Sequence, residues 1–161
     1  MVRSLGLVLA ALLFSICSSL LGSAACLTTL APNPPFTPPE PYRATVSADT
    51  FWYGTEALWT LLPVNGTWRG LPRNDRGYSQ KVFWWRQGYD RRTEQKPKLI
   101  LTGRRLDGDA PSIAVSDATN AYEASIGSAM LIGVVIPTEG CWEITGHYGG
   151  RTLTFIVLVE P

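Results

Sequence analysis

The sequence predicts an all-β chain, a sandwich of about seven or eight short antiparallel strands. Three observations predict it. Glycine or proline interrupts the chain roughly every ten residues, between short apolar or alternating runs. No long segment of the exported part carries the apolar period of a helix. Near the C-terminus, Gly149-Gly150 separates two alternating runs, the pattern of a tight hairpin.

The first element is an address. Met1-Val2-Arg3 carries one positive charge, residues 5–21 are largely apolar, and Gly22-Ser23-Ala24-Ala25 are small. That order predicts an export leader over residues 1–25, cut after Ala25. The apolar run lies at the short end of the roughly 17–25 residues that a membrane span needs. Ser15, Ser18 and Ser19 dilute it further. The cut removes Cys17 and leaves Cys26 and Cys141.

Ser23-Ala24-Ala25-Cys26 resembles a bacterial lipobox, with Ser23 where that family usually carries Leu. The resemblance implies that Cys26 is lipidated and that a membrane is the partner at this end. The competing expectation is an ordinary cut and a disulfide between Cys26 and Cys141, since an even pair of cysteines in an exported chain pairs readily. Residues 26–42 form a proline-rich spacer, with Pro32, Pro34, Pro35, Pro38, Pro39 and Pro41. Such a segment is extended, at about 3.1 Å per residue, and would hold a domain away from a membrane. It would have to fold back for Cys26 to reach Cys141, which favours the lipid. The alternative to anchoring is a soluble periplasmic or secreted protein.

Residues 43–161, about 120 residues, suffice for one domain. Six tryptophans, six tyrosines and five phenylalanines supply its core. Predicted strands cover residues 43–48, 56–62, 80–87, 98–104, 112–116, 129–136, 141–148 and 151–159. On 141–148, alternation places Trp142, Ile144 and Tyr148 on one face and Cys141, Glu143, Thr145 and His147 on the other. On 151–159, Leu153, Phe155, Val157 and Val159 share a face. The opposite face runs from Thr152 and Thr154 to Ile156 and Leu158, so its C-terminal end should be covered. Asn65-Gly66 is the favoured pair for a hairpin turn. The irregular stretch around Asn120–Ser125 reads as a loop.

Pro137-Thr138-Glu139-Gly140-Cys141-Trp142-Glu143-Ile144-Thr145-Gly146 resembles the late strands of immunoglobulin-like domains in bacterial exported proteins. There a turn glycine precedes an aromatic strand. The resemblance implies an immunoglobulin-like sandwich and is silent on activity.

Charge is unevenly spread. Residues 69–105 hold eleven basic and three acidic residues, while residues 106–161 hold one basic and seven acidic. A basic middle could attract an anionic polymer or surface. The plainer expectation is that basic and acidic strands neighbour each other and neutralise. Export argues against nucleic acid as a partner.

Catalytic chemistry is hard to assemble. His147 is the lone histidine. On a straight strand it would lie roughly 20 Å from Cys141, against the roughly 3 Å that a nucleophile–base pair needs. No G-x-S-x-G elbow occurs. The cysteine and histidine content offers no transition-metal site. Asp107, Asp109 and Asp117 read as turn chemistry before calcium ligation. The expectation is a protein that is not an enzyme and takes no cofactor or metal.

Recognition is better served. Phe51-Trp52-Tyr53 and Phe83-Trp84-Trp85 are consecutive aromatic runs. On a strand, one face of each run goes to the core and the other would present aromatics. Trp52, Tyr53, Trp84, Trp85 and neighbouring Arg86 are therefore the candidate ligand-binding residues, suited to a protein interface or to stacking on sugar rings. The expectation is a membrane-tethered interaction module, with a carbohydrate-binding accessory domain as the alternative. The competing reading is that these rings are buried on both sides, or capped by the proline-rich segment.

Overall fold

The computed structural model describes residues 25–42, 46–124 and 127–161. Of the expected leader, residues 1–25, all but Ala25 lie outside the described residues. The rest is all-β. β1 (Thr50–Thr55) and β2 (Leu58–Pro63) form a hairpin, followed by β3 (Thr67–Trp68), β4 (Arg73–Asn74), β5 (Gly77–Trp85) and β6 (Ile100–Arg105). Then come β7 (Ala114–Val115), β8 (Thr119–Glu123), β9 (Gly127–Ile136), β10 (Gly140–Tyr148) and β11 (Arg151–Val159).

Two sheets face each other. One runs β1-β2-β5-β9-β7, with β4 also on β5 and β8 also on β9. The other runs β3-β11-β10-β6. Pairing is antiparallel except for β3, which joins β11 in parallel. With β5, β9 and β7/β8 opposed to β6, β10 and β11, the plan is that of the immunoglobulin fold. Its first strand is divided: β3 lies on one sheet and β4 on the other. The β1–β2 hairpin is an addition that extends the first sheet.

The expected faces are seen. Trp142, Ile144, Phe155, Val157 and Val159 enter the core and meet Trp84, Ile132, Val134 and Ile136 from the other sheet. Gly146 lies opposite Trp84, whose ring fills the space that a side chain would need. The Trp142 indole N–H donates to the carbonyl of Thr138 at 2.9 Å and fastens the turn before β10. Gly149 and Gly150 both have positive φ, 55° and 74°, as the tight β10–β11 turn requires.

The proline-rich segment is not a free spacer. Phe36 and Tyr42 pack on Trp59, with centroids 6.1 and 5.4 Å apart. Together with Trp52, Trp85 and Ala129 they form a second core on the outer face of the first sheet. Upstream, Thr29 runs along β11: its N–H donates to Ile156 O at 2.9 Å and its Oγ1 accepts from Ile156 N at 2.8 Å. The next edge groups of β11 are met by Gly66 O, which accepts from Leu158 N, and by the Tyr53 hydroxyl, which donates to Thr154 O. The segment forms no strand; it turns at Pro39, whose carbonyl accepts from Tyr42 N at 2.9 Å, and that turn brings Tyr42 onto the sheet.

Three strand expectations need correction. Of 43–48, residues 43–45 lie outside the described residues and 46–48 are not strand. The chain turns at Ser47, whose carbonyl accepts from Thr50 N, and β1 starts at Thr50. The stretch read as a loop contains β8, in register with β9 from Thr119↔Leu131 to Glu123↔Gly127. Asn65-Gly66 does not close a hairpin. It carries the chain from β2 in one sheet to β3 in the other.

Candidate binding surface at the loop end

One end of the sandwich gathers the β1–β2 turn, the long β5–β6 loop and the β10–β11 turn. In immunoglobulin variable domains the corresponding loops after the second and sixth strands carry recognition. Here the β5–β6 loop is tied down along its length. Gln87 N donates to Glu56 O at 3.0 Å, joining it to the β1–β2 turn. Asp90 organises a tight turn, its carboxylate accepting from Arg92 N at 2.9 Å and its carbonyl from Glu94 N at 3.0 Å. Asn120 of β8 holds the far side, donating from Nδ2 to Arg91 O at 2.8 Å and from its backbone to Gln95 O at 3.1 Å.

Tyrosines link this loop to the rest of the fold. The Tyr42 hydroxyl donates to Tyr89 O at 3.0 Å, and the Tyr89 hydroxyl to Glu94 O at 2.8 Å. The Tyr148 hydroxyl donates to the Glu94 carboxylate and accepts from Arg86 Nε at 3.3 Å. Arg86 also lies over the Tyr148 ring, 5.6 Å from its centroid, and 3.9 Å from Glu94. Burial and the hydrogen bond to Glu94 push the Tyr148 phenol above its ordinary pKa. Burial, then the nearby Glu94 charge, pushes Tyr89 up to about 12. The hydrogen bond to Tyr148 raises Arg86.

Beside this network lies a cleft of about 500 Å³, lined by Glu56, Ala57, Arg86, Gln87, Tyr148, Gly149 and Arg151. On the β8 side Arg91 stacks over Tyr122 at 4.5 Å, and Tyr122 is 59% exposed. The surface is rigid, aromatic and rich in arginine, which suits recognition of another molecule.

The sequence candidates divide sharply. Trp52, Trp84 and Trp85 are buried, Trp84 in the central core and the other two under the proline-rich segment. No sugar ring can stack on them in this fold. Tyr53 is half-buried and spends its hydroxyl on Thr154. Only Arg86 belongs to the loop-end cleft. Ala25, the expected cleavage position, is exposed beside the disulfide.

Cys26 and Cys141 are joined, with sulfurs 2.02 Å and Cα atoms 5.4 Å apart. This reverses the preference for a lipid at Cys26, because a sulfur in a disulfide has no valence left for a thioether. The fold-back that argued against the bridge is the path the segment takes. Cys141 is therefore not a thiol nucleophile. His147 sits on the exposed face, its Nδ1 3.1 Å from Thr152 Oγ1, and among the described residues no carboxylate orients the ring. Asp107 accepts from Arg105 Nε at 2.7 Å. Burial would raise its carboxyl, but this bond and the Cys141 N–H outweigh it and hold the carboxyl low.

Part of the basic middle is neutralised by neighbours. Arg104 of β6 pairs with Glu143, its register partner on β10, at 2.7 Å, and Arg69 pairs with Glu160. The residues that sequence reasoning missed are Tyr42, Tyr89, Glu94, Tyr122 and Tyr148. Tyr148 carried a visible signal, an aromatic directly before a two-glycine turn.

No protein-family model matches the chain, and no curated protein or solved structure matches it significantly.

Proposed function

We propose that this chain is an exported, non-enzymatic recognition module, closed by the Cys26–Cys141 bridge, that holds a protein partner on its loop end. The observation that carries export is the bridge itself. Structural disulfides persist in oxidising compartments outside the cytoplasm, and this one begins at the residue after an export-type leader. The loop end supports the partner. Tyrosine and arginine are enriched where interfaces concentrate their energy, and here both stand on a backbone already ordered by hydrogen bonds. Little entropy is then lost on binding. The carbohydrate reading relied mainly on Trp52, Trp84 and Trp85, which are buried here, so the loop end is the better supported surface.

Two measurements test the proposal. Intact mass of the protein from an exporting host should correspond to a chain starting at Cys26, lighter by two hydrogens and without lipid. A lipid-sized increase at Cys26 would remove the bridge and the argument for it. Partner capture from the extracellular fraction should succeed with the native protein and weaken at least roughly tenfold for Arg91→Glu with Tyr122→Ala. A partner held equally by both proteins would move the binding surface elsewhere.

A further inference from the structure

The sandwich has an open side, which starts where the β5–β6 loop enters β6. There β6 and β7/β8 are the lateral strands of opposite sheets, and neither pairs with the other. Ser116-Asp117-Ala118 interrupts the lateral strand between β7 and β8. The Ser116 hydroxyl fixes that interruption, donating to Asp117 O at 3.0 Å and accepting from Gly133 N at 3.0 Å. A cleft of about 660 Å³ opens beside it, over the seam of the two sheets.

The cleft is mainly apolar. Its depth is made by Leu99, Leu101, Ala118 and Ile132, all buried members of the main core. Its rim carries Ile100, 61% exposed, and Val115, 36% exposed. Lys96 and Lys98 stand at one wall, on either side of Pro97. Asp117 lines the other wall, and among the described residues no carboxylate comes within ion-pair range of either lysine. Ligand cavities of roughly 300–1,000 Å³ are lined mostly by apolar groups, with a few polar ones that fix orientation. The charged groups here are two ammoniums against one carboxylate, with Ser116 and Thr119 also in the lining.

We propose that this cleft binds a long-chain carboxylate, its alkyl chain along the apolar floor and its carboxylate on Lys96 and Lys98. The apolar floor removes methylenes from water, so each one covered adds to affinity. The lysines select an acidic head and set which end stays at the surface. A neutral chain of the same length would gain the first term and lose the second.

Calorimetric titration of the disulfide-bonded protein with monomeric palmitate, below its micelle concentration, tests this. Saturable binding is expected, about tenfold weaker in Lys96→Ala with Lys98→Ala. Hexadecanol should bind with an affinity that this double variant leaves unchanged. Val115→Glu, at the exposed rim, should weaken palmitate while leaving the urea midpoint near native. No saturable palmitate binding would overturn the proposal. So would an affinity unaltered by both sets of substitutions, or binding to phosphatidylglycerol vesicles with none to the monomer.

Discussion

A Cβ on Gly146 would stand 2.5 Å from Trp84 Cη2 and 2.6 Å from Cζ3. Both positions lie in the centre of the sandwich, where neighbouring rings such as Phe155, 5.9 Å from Trp84, leave the indole no room to retreat. Gly146→Ala should therefore destabilise the fold by about 1–3 kcal/mol, as overpacked cores do. A lowered urea midpoint at unchanged slope would register it, and an unchanged midpoint would mean that the ring can move. Tyr89 sets a different residue-scale limit. Its phenol rises from 10.0 to about 12 in the fold because burial, then Glu94, opposes ionisation. Between those pH values the unfolded chain releases the proton and the folded chain keeps it. Its contribution to stability is complete below about pH 10, declines as pH rises toward about 12, and is lost above that. Urea midpoints measured from pH 9 upward should fall through this window, and Tyr89→Phe should flatten the decline.

The proline-rich segment acts as an element in its own right, although it forms no strand. Removing the Tyr42 ring, which is buried and edge-on to Trp59, should cost roughly 3–5 kcal/mol. It should also open Trp59 to solvent. Red-shifted tryptophan emission and stronger iodide quenching in Tyr42→Ala would show the opening. Unchanged emission would mean that Phe36 alone keeps the second core dry. This segment marks the boundary of what the sequence makes legible. The β10–β11 hairpin is readable because one face is core and the other solvent, so Trp142, Ile144, Phe155 and Val157 alternate with polar neighbours. β1 is not, because Phe51 enters the main core while Trp52 lies under the segment. With both faces buried, alternation disappears. The same cause misplaced Trp52 and Trp85 as surface candidates. The loop-end network is hidden for another reason: Glu94 and Tyr148 meet across 54 residues, and no local pattern records such a meeting. Composition pointed to two states of Cys26, and only the path of the chain separates them.

At the scale of the molecule, the bridge spans 115 residues and ties the covering segment to β10. Closing so long a loop should stabilise the folded state by roughly 2–5 kcal/mol. Denaturation with and without reductant, compared with Cys26→Ser, measures it. The two should lose the same amount, since the same crosslink is absent. Reduction should also speed hydrogen exchange at Ile156 N, which is held by Thr29, more than at the interior amides of β10. Equal protection at Ile156 before and after reduction would show that the segment stays docked without its bond. The bridge also imposes an order of events. Under the export proposed above, a chain crossing N-terminus first delivers Cys26 115 residues ahead of Cys141. With the expected leader and its Cys17 removed, Cys26 then meets no second cysteine until β10 has crossed. Premature crosslinks within this stretch are excluded by arithmetic alone, and closing the bridge becomes a check that β10 has arrived.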